Sequence, residues 1–303
     1  MFSFTNKPND WMDLPLYKKI EYTGTLFPPQ IVQYVDKIQA KTTVIDMLGS
    51  EIKVQPIIKI LSDYTDVTET DFDPDNDCTE DPITGSNDAT KSLAPWIYGN
   101  INEEILCDMY YIKSNFGTGF NINVNHMWDI DRIRNRLISF EDTYNYPNQI
   151  QYSYITPRRY FIEQKINDRN FDPKRVTTYD GKAMTYMIYC IYGNPFAYSE
   201  RYEDRENKYY LNRTEIELNI RVPVPRLSYN TYHRMVQMAK ILAEPFEFVR
   251  MDFFIDQNND IYFSEYTFTP KIGQQIWNMD IEIEFGNLWT VNPTSFEFSD
   301  LDP

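Results

Sequence analysis

Apolar positions recur at helical spacing in three stretches of the chain. The first, "QIVQYVDKIQAKTTVIDML", runs from Gln30 to Leu48 and stops at Gly49, a residue suited to a helix C-cap. The second, "WDIDRIRNRLISFEDTY", carries Ile130, Ile133, Leu137 and Ile138 on one side. The third, "SYNTYHRMVQMAKILAEPF", turns Tyr232, Met235, Val236, Ala239 and Leu242 inward. Between them the pattern changes to short strand-like runs: "IIKIL", "DMYYIKSNFGTGFNINV" with a glycine loop at its centre, and "RRYFIEQKI". "MTYMIYCIYGNPFAYSERY" reads as two strands joined at Gly193-Asn194-Pro195. Helices and strands alternate irregularly and hairpins are frequent, which predicts an α+β fold, not a doubly wound parallel sheet.

The last hairpin is the most informative. In "RMDFFIDQNNDIYFSEYTF", Asn and Asp fill the turn because they tolerate its backbone angles. A loop centred between Asn258 and Asn259 pairs residues whose numbers sum to 517. Asp252 then faces Glu265, and Arg250 faces Thr267. Alternation puts all four on one side of the sheet, with Val249, Met251, Phe253 and Ile255 on the other. Phe248, Phe254, Ile261 and Phe263 share the polar side in this register, so that side is at least partly buried. Facing carboxylates destabilise a strand pair unless a cation sits with them or a pKa rises. A divalent metal such as Mg²⁺ or Mn²⁺ resolves the conflict, since it takes carboxylate oxygens and bridges to phosphates. Arg250 suits a phosphate or an oxyanion.

Composition narrows the classes. The chain has 303 residues, 42% of them hydrophobic and 16% aromatic, enough for a substantial core. The net charge of −16 argues against an extended nucleic-acid surface. Much of the acidity falls in "DYTDVTETDFDPDNDCTED", within a polar stretch over about 63–94 that reads as a loop or insertion. Three widely spaced cysteines, Cys78, Cys107 and Cys190, form no disulfide or zinc pattern and suit a reducing compartment. With no secretory signal pattern and no apolar run near the ~20 residues of a membrane span, a cytoplasmic location is expected. Only two histidines are present, His126 and His233, and neither is near a nucleophile motif.

The glycine loop "YYIKSNFGTGFN" places Lys113 before Gly117 and Gly119. Backbone amides of such a loop can wrap phosphate oxygens, with the lysine as a point charge. An ordinary hairpin turn has the same look. The loop fits neither the Walker A nor the dinucleotide fingerprint. Taken together, the ordered set resembles the ATP-grasp ligases and, within them, the TupA-like group. The set is Lys41, the Lys113 loop, "FIEQKI", Arg250-x-Asp252 and Glu265-x-Thr267-x-x-Pro270. The resemblance runs over roughly residues 36–289, most specifically in "FVRMDFFIDQNNDIYFSEYTFTP" and then in "IKSNFGTGFNINV".

The resemblance implies an ATP-grasp fold in which two α+β subdomains sandwich ATP. Residues 1–35 would be an N-terminal segment, 36–162 the part with the glycine-loop lid, and 163–303 the part with the metal site. It implies phosphate contacts from Lys113 and from Lys41, read as lying at a helix start, and a lid formed by Gly117, Thr118 and Gly119. Glu163, Gln164 and Ile166 would form the hinge beside adenine. Asp252 and Glu265 would hold Mg²⁺, with Thr267 where relatives place an Asn ligand, and Arg250 would stabilise the reacting centre. Arg201, Arg205 and Lys208 compete for one further phosphate contact. The implied activity is ATP- and Mg²⁺-dependent joining of a carboxylate to an amine through an acyl phosphate, in surface polysaccharide or peptide modification. A nucleotide-binding or structural protein with reduced catalysis is the alternative, and a phosphotransferase on the same scaffold is a third class. The chain departs from the family at Phe116, where His is common, at Lys271, where Gly is usual, at Ile45, where Arg is expected, and around Met184–Tyr186, where Lys is expected.

Overall fold

The computed structural model describes residues 2–4, 6–61, 110–117, 121–124, 135, 137–139, 149–166, 183–202, 205–217 and 227–291. The acidic stretch over 63–94, most of the expected helix over 128–144, Thr118, Gly119, His126, Cys78 and Cys107 lie outside these residues.

Two sheets organise the described residues. The smaller has four strands in the order β2-β5-β3-β4: β2 (Ile57–Leu61), β5 (Tyr160–Gln164), β3 (Tyr110–Ser114) and β4 (Asn121–Val124), all antiparallel. The larger has seven, in the order β1-β11-β10-β6-β7-β8-β9. These are β1 (Lys53–Val54), β11 (Ile261–Thr267), β10 (Phe248–Ile255), β6 (Thr185–Ile191), β7 (Asn194–Tyr202), β8 (Arg205–Tyr210) and β9 (Glu215–Glu217). Only the β1–β11 pair is parallel; β6 to β9 run as consecutive antiparallel neighbours, and the β10–β11 hairpin joins them on the other side of β6.

The helical pattern before Gly49 is broken in two. Helix α2 (Val32–Val35) ends at Asp36, whose extended backbone starts α3 (Lys37–Leu48). The Asp36 side chain accepts from the Ile38 and Gln39 amides, the role of an N-cap acid, and so overrides the continuous apolar spacing. Gly49 closes α3 with a φ of 59°, as its position requires. Helix α4 (Tyr229–Ala243) is capped by Ser228 and buries Tyr232, Met235, Met238, Ala239 and Leu242, with Val236 only partly covered.

One face of the large sheet is mostly apolar, with the buried Glu200 carboxylate accepting from the Tyr198 and Tyr209 hydroxyls. Val249, Met251, Phe253 and Ile255 pack there with Ile188 and Cys190 beneath α4. Burial pushes the free Cys190 thiol pKa well up. The other face is divided. At one end Met187, Tyr189, Ile191 and Phe248 are covered by α1 (Leu16–Thr23), α5 (Met279–Leu288) and the aromatic residues around them. The remainder is open and carries the polar residues of the hairpin.

This cover joins the two ends of the described chain. Trp11 meets Trp289 edge-on at 5.2 Å and donates to its carbonyl at 2.8 Å. The buried Lys19 amine donates to the carbonyls of Gly286 and Trp289, and burial lowers its pKa to about 8. Gly286 is where α5 meets the start of α1: a Cβ there would lie 2.7 Å from the Leu14 carbonyl oxygen. Gly286→Ala is therefore expected to cost about 1–3 kcal/mol by overpacking. It should lower the urea midpoint with an unchanged slope.

The last hairpin has the expected register at Arg250 and Asp252 and a different one at its tip. Arg250 pairs with Thr267 and Asp252 with Glu265, but beyond a one-residue bulge Phe253 pairs with Phe263 and Ile255 with Ile261. Ser264 is the extra residue. The loop is thus one residue off the symmetric centre, and the bulge restores the pairing of the acids. The same shift turns Ile261 and Phe263 into the core, correcting their assignment to the polar face. Phe254 remains on the open side.

Candidate active site

The open face of β10 and β11 forms the floor of a cleft of about 600 Å³. Alternate positions along β10 point Arg250 and Asp252 into it, and Glu265 and Thr267 follow from the paired strand. Arg250 grips Asp252 through two hydrogen bonds, Nε to Oδ1 at 2.6 Å and Nη2 to Oδ2 at 2.7 Å, and donates to Thr267 Oγ1 at 3.1 Å. The facing acids are therefore tolerated because a guanidinium engages one of them. Burial opposes the charge on Arg250, yet Asp252 holds its pKa above the ordinary value. For Asp252, burial dominates and raises the pKa, against Arg250 and reinforced by Glu265.

The roof comes from the small sheet and α3. On β3 and β5, alternation directs Tyr111, Lys113, Phe161 and Glu163 toward the cleft. Ile112, Tyr160 and Ile162 go to the core. Glu163 is fully buried and ion-paired to two lysines, Lys113 and, at 3.0 Å, Lys41. Burial alone would raise its pKa, but the two lysines outweigh that and hold it below the carboxylate norm. Lys41 also donates to the Gln55 carbonyl at 3.0 Å, and burial lowers its pKa despite Glu163. Lys113 lies 6.0 Å from the Phe254 ring of the floor, so roof and floor meet around it.

No sequence motif marks Lys37. It is the first residue of α3, so Lys41, expected at the helix start, sits in the second turn. The Lys37 amine donates to the Gly117 carbonyl at 3.2 Å and stands 3.9 Å from Glu265, linking glycine loop and floor. Burial lowers its pKa, with Glu265 opposing. The available signal was the i,i+4 spacing of Lys37 and Lys41, which puts both on one helix face. The start of the glycine loop is fixed to the same helix: Asn115 donates to Asp36 at 2.9 Å and accepts from the Arg159 amide at 2.8 Å.

Lys41, Lys113, Glu163, Ile166, Arg250, Asp252, Glu265 and Thr267 thus line one cleft. Gly117, with a φ of 69°, is buried beside it. Gln164 is turned away: its amide donates to the Pro56 carbonyl and its carbonyl accepts from the Gln55 side chain. Of the three further cations weighed, Arg201 lines the cleft, whereas Lys208 is held by the Ile276 carbonyl and Glu217. The departures have structural roles. Phe116 is buried against Tyr160, Ile45 packs on the core, and Met184 and Tyr186 are buried. Lys271 adopts a φ of 51°, a conformation that favours glycine.

The lining contains Lys37, Lys41, Lys113, Arg201, Arg250 and Lys271 against Glu163, Asp252 and Glu265. That is an excess of three positive charges in a chain of net charge −16. An anionic ligand fits such a cleft.

A family model described as TupA-like ATPgrasp matches residues 81–289. The chain belongs to the TupA-like ATP-grasp family. The match covers β3 through α5, and α3 with its two lysines precedes it. No curated protein matches the sequence of this ATP-grasp protein. Among solved structures it is similar to the ATP-grasp ligase PsnB complexed with a phosphomimetic variant of its minimal precursor, Mg and ADP. The identity is 10% and the TM-score 0.38, over 84% of this chain and 56% of that one. It is similar to a biotin carboxylase–β,γ-ATP complex from Campylobacter jejuni at 15% identity and a TM-score of 0.41, over 86% and 48%. It is also similar to the D-alanine–D-alanine ligase from Helicobacter pylori at 14% identity and a TM-score of 0.40, over 86% and 60%. The chain spans about half to three fifths of the length of these proteins. Among the described residues no helix is long and apolar enough to cross a membrane.

Proposed function

We propose that this protein is an ATP- and Mg²⁺-dependent ligase that joins a carboxylate to an amine through an acyl phosphate. One observation carries the reading: a carboxylate pair with an arginine on the floor of a cleft faces three lysines on its roof. The residues fit the nucleotide and the metal. Lys41, Lys113 and Lys37 supply charge for phosphate oxygens, and Asp252 and Glu265 are the oxygen donors for Mg²⁺, with Thr267 beside them. Bound there, Mg²⁺ would neutralise charge on the phosphates. The Lys165–Ile166 main chain, just after β5, would meet the adenine edge in place of Gln164, whose main chain is already engaged. Arg250 would stabilise negative charge at the reacting carboxylate.

The substrate carboxylate takes the γ-phosphoryl group and releases ADP. The amine then attacks the acyl carbon and releases phosphate, leaving an amide. Positioning and charge neutralisation suffice, and no side-chain nucleophile is required. The alternative reading, nucleotide binding with reduced catalysis, is favoured by a single feature, the engagement of both Asp252 oxygens by Arg250. ADP and phosphate release measured against a panel of carboxylates, with and without an amine, separates the readings. Release that requires both partners is expected. Release that ignores the amine would indicate a phosphotransferase, and none with any pair would favour the reduced protein.

A further inference from the structure

Beyond the metal pair, the cleft continues to Thr269, Lys271 and Ile272. Thr269 is buried, and its hydroxyl oxygen accepts from two side-chain amides, Gln149 at 2.9 Å and Gln151 at 3.0 Å. Both glutamines are buried, and among the described residues their own amide oxygens have no donor. A buried acceptor left unpaired is costly, so this bracing opposes stability. Its consequence is chemical. A hydroxyl has two lone pairs and one proton. With both lone pairs occupied, Thr269 can act only as a donor, on the wall of the cleft.

The following turn is also built against local preference. Lys271 and Ile272 have φ of 51° and 58°, left-handed values that strain a non-glycine residue. The Ile272 amide bonds to the Thr269 carbonyl, and Gly273, at a φ of 74°, follows where a Cβ would lie 2.7 Å from Glu21 Cα. Strain of this kind gathers at functional sites. Here it places a lysine on the cleft lining.

Charge completes the picture. Arg250 is matched by Asp252, Lys41 and Lys113 share Glu163, and Lys37 approaches Glu265. Lys271 forms no ion pair among the described residues, whereas Arg201, opposite Thr185 near the other end of the floor, acts electrostatically on Asp252. With the reacting carboxylate at Arg250, the Lys271 cation and an obligate donor remain to be satisfied.

We propose that Thr269 and Lys271 form a subsite for a second anionic group, so that the molecule whose carboxylate is activated is a dianion. This rests on the ligase reading for the role of the first carboxylate. The second group is an oxyanion, either carboxylate or phosphate in kind, and the two sources are separable by probe.

Isothermal titration of the full chain with glutarate, 3-phosphonopropionate and butyrate tests the subsite, with and without Mg²⁺ and a non-hydrolysable ATP analogue. At least one dianion is expected to bind about tenfold or more tightly than butyrate, equivalent to about 1.4 kcal/mol. Lys271→Met should reduce that preference to within about twofold, while Lys240→Met, on the exposed side of α4, leaves it in place. Lys271→Gly removes the cation and relieves the backbone, so it should lose the preference without losing stability. Thr269→Ser should keep the preference and Thr269→Val weaken it. Equal binding of butyrate and both dianions, or a preference that survives Lys271→Met, overturns the proposal. If the analogue does not bind but the Lys271-dependent preference persists, the nucleotide reading fails and the subsite stands. If the analogue binds and no preference exists, the subsite fails alone.

Discussion

Glu163→Gln is expected to destabilise the protein by about 3–5 kcal/mol, the cost of leaving a buried charge without its partner. Lys41 has nowhere to go: it is 2% exposed, and the acceptors left to it, the Gln55 carbonyl and the new amide oxygen, are neutral, so its charge has no counter-charge. Lys113 is less confined and can turn into the cleft, so Lys41 accounts for most of the loss. Urea unfolding should show a lower midpoint at unchanged slope. Adding Lys41→Met to Glu163→Gln should recover part of the loss, since removing both charges leaves nothing uncompensated. The pH dependence has a definite sign. The folded-state pKa of Glu163 is depressed, so its contribution is complete above the unfolded carboxylate value of about 4.3 and is lost as pH falls through the folded value. The gap between wild type and Glu163→Gln should therefore narrow in acid. A gap of constant size would mean that Glu163 acts by packing alone.

The second large effect concerns Asp252→Asn. On the proposed reading it removes one of two carboxylates that hold the metal and should weaken Mg²⁺-linked nucleotide binding by about 100-fold or more. Asparagine keeps the volume and can still accept from Arg250, which limits the structural damage of leaving that buried guanidinium alone. Alanine at the same position would combine loss of a ligand with an unpaired buried arginine. The Arg250–Asp252 grip adds a consequence for the metal: Mg²⁺ must share or displace the guanidinium, so metal and nucleotide should bind far better together than metal alone.

Much of this architecture was legible in the chain, for reasons specific to each element. Period-2 patterning in "FVRMDFFI" fixed which residues of β10 face the core, and all four expected core residues are buried. The pairing of Asp252 with Glu265 was read correctly from an incorrect loop centre, because the Ser264 bulge offsets the shift. Bulges leave no period-2 trace, so Ile261 and Phe263 were placed on the wrong face. The division of the helix at Asp36 was hidden because apolar spacing continues across it; an acid two and three residues before the amides it caps was the visible signal. Lys37 carries no mark in the sequence, because one lysine near a helix start looks like solvated surface, and only the three-dimensional approach of Gly117 and Glu265 gives it meaning. The Gln149–Thr269–Gln151 arrangement spans more than a hundred residues and carries no local pattern.

The most direct measurement is the thermal or titration response to a non-hydrolysable ATP analogue with Mg²⁺, comparing wild type with Asp252→Asn. At a ligand concentration of about 100 times Kd, linkage adds about 2.7 kcal/mol of stability. Wild type should therefore show a clear rise in Tm that requires both nucleotide and Mg²⁺, and Asp252→Asn should show little or none. An unchanged wild-type Tm, or an equal rise in the variant, would contradict the account.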